Sequence, residues 1–312
     1  MGLSLKRNGG GDSLAIALGA QRIEFAQVHR ANGSKPVVRS CATLAVEDSL
    51  LASLRGLRKH LGGAPASCVA LLPPADYQLQ VVEAPPVPDE EMRDAVRWRM
   101  KELLDYPVED ATVDVTYVPS GEHSPSRAKS LFAASARNSV ISERMKLFRD
   151  AKMPLTVIDV PEMAQRNVAT LFEDGPRAVA LLCFREEDGL LTFSAGGELY
   201  LTRHMDLGYN QIVQSSVEAR TPLFDRIALD VQRSLDHFDR QFSHVPLGRF
   251  LLGPMPQDVG LVSHLTQNLS MTASALALES VLELGDGPGL RSQEGQARHL
   301  HVLGAALRMQ AP

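Results

Sequence analysis

The chain has 312 residues, 44% of them hydrophobic and 22% charged, with 23 glycines and 19 prolines. These proportions exclude a collagen, a disulfide-stapled scaffold and a disordered tail, and leave room for about two domains with sizeable cores. A formal net charge of −5 and a sequence pI of about 6.0 give no general attraction for nucleic-acid phosphates or anionic lipid, so neither is expected as a partner.

The opening MGLSLKRNGGGDS has two basic residues with no apolar core behind them, which is not a signal-peptide pattern. No window approaches the roughly 18 uninterrupted apolar residues of a membrane span. Cys41, Cys68 and Cys183 lie far apart in apolar runs and read as buried small hydrophobes in a reducing compartment. A cytoplasmic protein is expected.

After Gly9, Gly10 and Gly11, three apolar segments within residues 13–44 are separated by Gly19-Ala20 and Asn32-Gly33, turn signals that predict an antiparallel meander. Leu50, Leu51, Leu54, Leu57 and Leu61 recur at helical spacing, predicting a helix over 47–61 that stops at Gly62-Gly63. Strands over 67–72 and 77–82 close this unit. Pro85-Pro86-Val87-Pro88 marks a break, after which Asp89 is expected to cap a helix running to Tyr106. A strand over 112–117, a polar loop over 119–129, a strand over 130–136 and a helix capped by Asn138 complete an α/β insertion, residues 85–154.

LTVIDV predicts a strand over 155–160, with Pro161 at the first position of the next helix. A second meander follows: RAVALLCF, LLTFSA and ELYLTRH, joined by turns at Glu186–Gly189 and Gly196-Gly197. Helices are expected near 209–219 and 225–242, the latter carrying Ile227, Val231, Leu235, Phe238 and Phe242 as one apolar stripe for packing on a sheet. Short strands at RFLLG and MTASAL alternate with helices near 257–268 and 295–308. The repeated meander-plus-helix layout predicts two similar α/β lobes. Residues 1–84, completed by 155–176 and 295–312, form the first, and residues 177–294 form the second.

No chemistry-bearing motif stands out. The nine histidines lack zinc spacing, and His299 and His301, two apart on a helix, do not share a face. GxGxxG, phosphate-loop, GxSxG and HExxH patterns are absent. Trp98, the single tryptophan, is expected as a core anchor. No metal site and no catalytic residue are assigned.

Several blocks together resemble one family. Ala95-Val96-Arg97-Trp98 through Leu103–Asp110, Val231–Phe238 and His301–Arg308 are similar to the insertion-domain helix, the arginine-serine-leucine-aspartate helix and the closing Gly-Leu-Ala-Leu-Arg helix of the PilM-like proteins of type IV pilus assembly. Within that family the nearest branch is the MshI-like one of the mannose-sensitive haemagglutinin (MSHA) pilus. The resemblance implies an actin-like ATPase fold, with an insertion subdomain in the first lobe like that of the division protein FtsA. It further implies a cytoplasmic adaptor, peripheral to the inner membrane, that binds the tail of a PilN-like or MshJ-like membrane protein. By analogy with the related secretion protein GspL it implies contact with the assembly ATPase.

The same resemblance places a nucleotide cleft at Gly19, Ala20, Gly208 and Gly253. There the chain departs from the family pattern. Ala17 stands where the first hairpin carries an acid, Leu181-Leu182-Cys183-Phe184 is apolar where the second does, and Pro254 and Pro256 remove backbone donors from the adenosine-side loop. Without those acids Mg²⁺ loses its protein ligands, so hydrolysis and a firmly held ATP–Mg cofactor are not expected. Glu186, Glu187 and Asp188 could substitute from the turn, although the run reads first as a solvated hairpin tip. A non-catalytic adaptor with a degenerate cleft is therefore the leading expectation, and an ATP-binding switch whose lobes close on nucleotide is the alternative. A sugar or acetate kinase would need an acidic base that the sequence lacks.

Overall fold

β1 (Gly11–Leu18) alternates Leu14, Ile16 and Leu18 with Ala15 and Ala17, and both sets are covered by helices. The computed structural model describes residues 11–31, 34–63, 65–120, 129–285 and 288–308. β2 (Arg22–Arg30) and β3 (Val37–Ala45) follow β1 antiparallel, as the meander predicts, with the Asn32-Gly33 turn outside the described residues. α1 (Leu50–His60) begins where Ser49 Oγ accepts the Ala52 N–H at 3.1 Å. β4 (Cys68–Leu71) then pairs parallel to β1.

The chain next leaves this sheet. β5 (Tyr77–Glu83), α2 (Met92–Arg99), β6 (Ala111–Tyr117) and β7 (Ser130–Arg137) build a separate three-stranded sheet, β5–β7–β6, with α2 on one face. The strand assigned to the first lobe over 77–82 belongs here instead: β5 pairs with β7 from Tyr77↔Ala136 to Glu83↔Ser130, so the insertion starts before residue 85. Asp89 does not cap a helix through its side chain; its Oδ1 accepts the Tyr117 hydroxyl at 2.7 Å. Trp98 is not a core anchor either. α2 buries Met92 and Val96, with Met100 just beyond its end, and Trp98 falls on the opposite side, 60% exposed.

Asn138 is the first residue of α3 (Asn138–Asp150) and not its cap; it accepts from Thr112 Oγ1 and donates to the Glu109 carbonyl. Phe148 of α3 joins Leu54 and Leu57 of α1 against Leu14, Ile16 and Phe25. α3 thus acts as the crossover helix from β4 to β8 (Leu155–Asp159), which pairs parallel to β4. Residues 121–128 of the polar loop lie outside the described residues.

α4 (Pro161–Thr170), with Pro161 at its first position, leads into the second meander, β9 (Ala178–Phe184), β10 (Gly189–Ala195) and β11 (Glu198–Met205). The β10–β11 turn uses Gly196 and Gly197 at φ 60° and 76°. α5 (Tyr209–Gln214) and α6 (Val217–Gln241) follow. α6 starts at Val217 and not near residue 225: Ser216 Oγ accepts the Ala219 N–H at its start, and the helix runs on through Pro222. β12 (Leu247–Leu252), α7 (Leu261–Asn268), β13 (Ala273–Ala275), β14 (Glu283–Leu284) and α8 (Gln293–Ala306) complete the chain.

The first sheet runs β14–β3–β2–β1–β4–β8 and the second β11–β10–β9–β12–β13. Apart from the added edge strand β14, the two orders are the same, and the fold is the duplicated, two-lobed architecture of the actin-like ATPases. β9 shows how the lobes meet. Its Ala178, Ala180, Leu182 and Phe184 face α6 and α7, while Val179, Leu181 and Cys183 face α4 and α8. α4 and α8 therefore form a shared layer between the sheets, which explains why every residue of α8 from His299 to Ala306 is buried. α4, which the sequence predicts in the first lobe, packs on the second sheet, and β14, predicted in the second lobe, pairs with β3 of the first sheet.

Candidate functional site

At the carboxyl ends of β1, β4 and β9, where open α/β sheets bind ligands, the lobes enclose a cavity of about 470 Å³. Ala17, Leu18 and Gly19 from the first hairpin meet the Arg185–Asp188 turn of the second, Tyr209 of α5 and Ala297, Arg298 and His301 of α8. Leu71 to Ala75 and Pro161 supply a largely apolar wall.

The charges at its mouth are matched to one another. Arg22 Nη2 reaches across from the first lobe to Glu186 Oε1 at 2.6 Å, and Arg22 Nε lies 3.0 Å from Glu24 Oε1. Glu187 Oε1 accepts from Asn210 Nδ2 at 2.8 Å, and Arg185 Nε donates to Asp188 Oδ1 at 2.6 Å. The acidic run is thus engaged by side chains from both lobes and is not a freely solvated tip. Glu24, on the same face of the sheet as Ala17, is the carboxylate that the sequence reading overlooked. Burial pushes its pKa up, with Arg22 opposing. Its signal was spacing: Arg22 and Glu24, two apart on a strand, share a face.

Of the four positions expected at the cleft, Gly19 lines the cavity, its N–H donating to the Arg22 carbonyl at 2.9 Å. Ala20 is exposed at the turn and does not line it. Gly208 packs behind the second hairpin, where a Cβ would stand 2.3 Å from the Glu186 oxygen. This close approach lets Tyr209 and Asn210 donate to the Arg185 and Glu186 carbonyls at 2.9 and 3.1 Å. Gly253 faces away, toward a second cavity of about 360 Å³ shared with Pro254, Leu276 and Gln293, and a Cβ there would meet Cys183 Sγ at 2.6 Å.

A buried polar network beneath the cleft had no motif to announce it. Gln165 Nε2 donates to the carbonyls of Leu181 and Leu190 at 2.7 and 3.0 Å, so its Oε1 accepts from His301 Nε2 at 3.1 Å. That fixes the His301 proton on Nε2, and burial pushes its pKa down to about 3, with Arg185 adding to the effect. His299 turns the other way, Nδ1 toward the Gly295 carbonyl at 2.7 Å and Nε2 toward Thr43 Oγ1 at 2.9 Å. Among the described residues no group of three or more His, Cys, Asp or Glu is arranged to hold a metal ion. All three cysteines are buried, and burial pushes the Cys41 and Cys68 thiols up to about 12.

No protein-family model matches the sequence, and no curated protein matches it. Among solved structures, a chain of the PilM–PilN type IV pilus biogenesis complex superposes with a TM-score of 0.71 at 19% identity, over 95% of this chain and 97% of that one. That similarity establishes a common fold. The cytoplasmic domain of EpsL, an inner-membrane component of the type II secretion system of Vibrio cholerae, gives 0.47 at 12% identity over 96% of each chain. A Bacteroides thetaiotaomicron protein of unknown function with the actin-like ATPase fold gives 0.46 at 10%, over 87% of this chain and 92% of that one.

Proposed function

We propose that this protein is a non-catalytic actin-fold adaptor of type IV pilus assembly, of the MSHA type. In this reading it is cytoplasmic, peripheral to the inner membrane, and binds the cytoplasmic tail of a PilN-like or MshJ-like membrane protein, with the assembly ATPase as a further partner. Among the described residues no helix is long and apolar enough to cross a membrane, which suits anchoring through a partner.

What supports a binding role over a catalytic one is the cleft. A Mg²⁺–nucleotide site needs carboxylates free to take the metal and hairpin amides open to phosphate. Here Glu24 and Glu186 face Arg22, Asp188 faces Arg185, and the Gly19 and Arg185 amides close their own turns onto the Arg22 and Asp188 carbonyls. These residues do not fit a Mg²⁺–nucleotide group.

A fluorescence-anisotropy titration with a labelled peptide from the tail of the PilN-like protein should saturate, and a flat titration would overturn the adaptor role. Calorimetry with Mg-ATP should stay silent up to millimolar ligand. The alternative, a nucleotide switch, draws its support from the position of the cavity between the two hairpins and predicts heat in that experiment.

A further inference from the structure

The insertion subdomain is tied to the rest of the molecule at a buried carboxylate. Glu162, in the first turn of α4, is wholly enclosed. Its Oε2 accepts the hydroxyl of Tyr77 on β5 at 2.7 Å, and its Oε1 lies 2.8 Å from Nε2 of His204 on β11. Three separate parts of the chain converge on one side chain: the insertion sheet, the helix between the lobes and the edge strand of the second sheet. Apolar packing follows the same path, for Phe132 of β7 is buried in the cluster that forms the second-lobe core, with Leu79 and Met163 against it. The segment from Leu72 to Ala75, which leads from β4 into β5, is also part of the cleft wall.

We propose that the insertion subdomain is a strap across the lobe junction, fastened at Glu162, so that the opening of the cleft is set by the position of this subdomain and not by a ligand within the cleft. Parting β5 from β11 strips a fully buried carboxylate of its donors, which is far more costly than parting an exposed ion pair. At the cleft mouth itself the Arg22–Glu186 pair, at 44% and 42% side-chain exposure, contributes little to holding the opening shut. The strap goes beyond the adaptor role and holds whatever partner binds; a partner that shifts the insertion sheet opens the cleft through it.

The test uses the full chain with spin labels at Lys59→Cys on α1 and Asp239→Cys on α6, the native cysteines being buried. Glu162→Ala risks misfolding, so Tyr77→Phe and His204→Gln are the informative variants, singly and together. The starting protein should give one narrow distance distribution that millimolar Mg-ATP leaves unchanged. Each variant should broaden it and raise amide exchange about tenfold in both β5 and β11, with the pair together giving less than the sum. Exchange rising only in the strand that carries the substitution, or Mg-ATP moving the unaltered protein as far as the variants move, would overturn the proposal. Both readouts are independent of the tail-peptide titration, so the strap and the adaptor role fail separately.

Discussion

Gly304 of α8 crosses Ala164 of α4 so closely that a methyl group on Gly304 would sit 2.1 Å from the Ala164 carbonyl oxygen. The contact is between backbones, in the layer shared by both lobes, and Asn167 Nδ2 donates to the Gly304 carbonyl at 2.9 Å beside it. Gly304→Ala must therefore push the two helices, and with them the two sheets, apart. A loss of about 3 kcal/mol or more in a urea denaturation is expected.

His301 sets an acid limit. Its folded-state pKa, about 3, lies below the ordinary 6.5, so folding favours the neutral ring. The resulting stability is present above pH 6.5 and is lost as pH falls toward 3, by up to about 1.4 kcal/mol per pH unit. His301→Gln should flatten the pH dependence of the denaturation midpoint between pH 6.5 and 4. A slope equal to that of the unaltered protein would remove His301 as the cause.

Glu24 works in the opposite direction. Its carboxyl is raised above the ordinary 4.5 in the folded state, so the protonated form favours folding and ionisation opposes it as pH rises through that range. Glu24→Gln should be more stable than the unaltered protein at pH 8, and the difference should vanish well below pH 4.5. Paired thermal melts at the two pH values check this.

Trp98 and Met100 lie two residues apart and should behave differently. Met100→Ala, at a fully buried site, should cost about 2–5 kcal/mol. Trp98→Ala, at 60% exposure, should change stability by less than about 0.5 kcal/mol. If Trp98 helps to seat a partner, the same variant weakens the tail-peptide titration while its melting curve is unchanged.

The two meanders were legible because strands buried on both faces write themselves as short apolar runs between turn residues, as LAIAL and AVALLCF do. The helix start marked by Pro161 was legible too, as was the apolar stripe of α6, although the start of α6 at Val217 was not. Caps were less so. Asp89 and Asn138 have the right chemistry for capping, but each side chain found a partner on β6, Tyr117 and Thr112, that lies far away in sequence. In the closing helix, Gly304 and Arg308 carried the family resemblance, and their tasks are structural: a helix crossing and a 2.9 Å contact with Asp159 Oδ2.

By itself the sequence determined the duplicated α/β plan and the apolar character of β1 and β9, because periodicity and side-chain type are local properties. Only the tertiary structure decided that α4 lies on the far sheet, that β5 belongs to the insertion, and that Arg22 meets Glu186 while Tyr77 and His204 share Glu162. Each of these pairs residues 42 to 164 positions apart. Which buried polar group finds which partner is settled when the chain packs, since leaving such a group unpaired is costly and no single stretch of sequence contains both halves of these bonds.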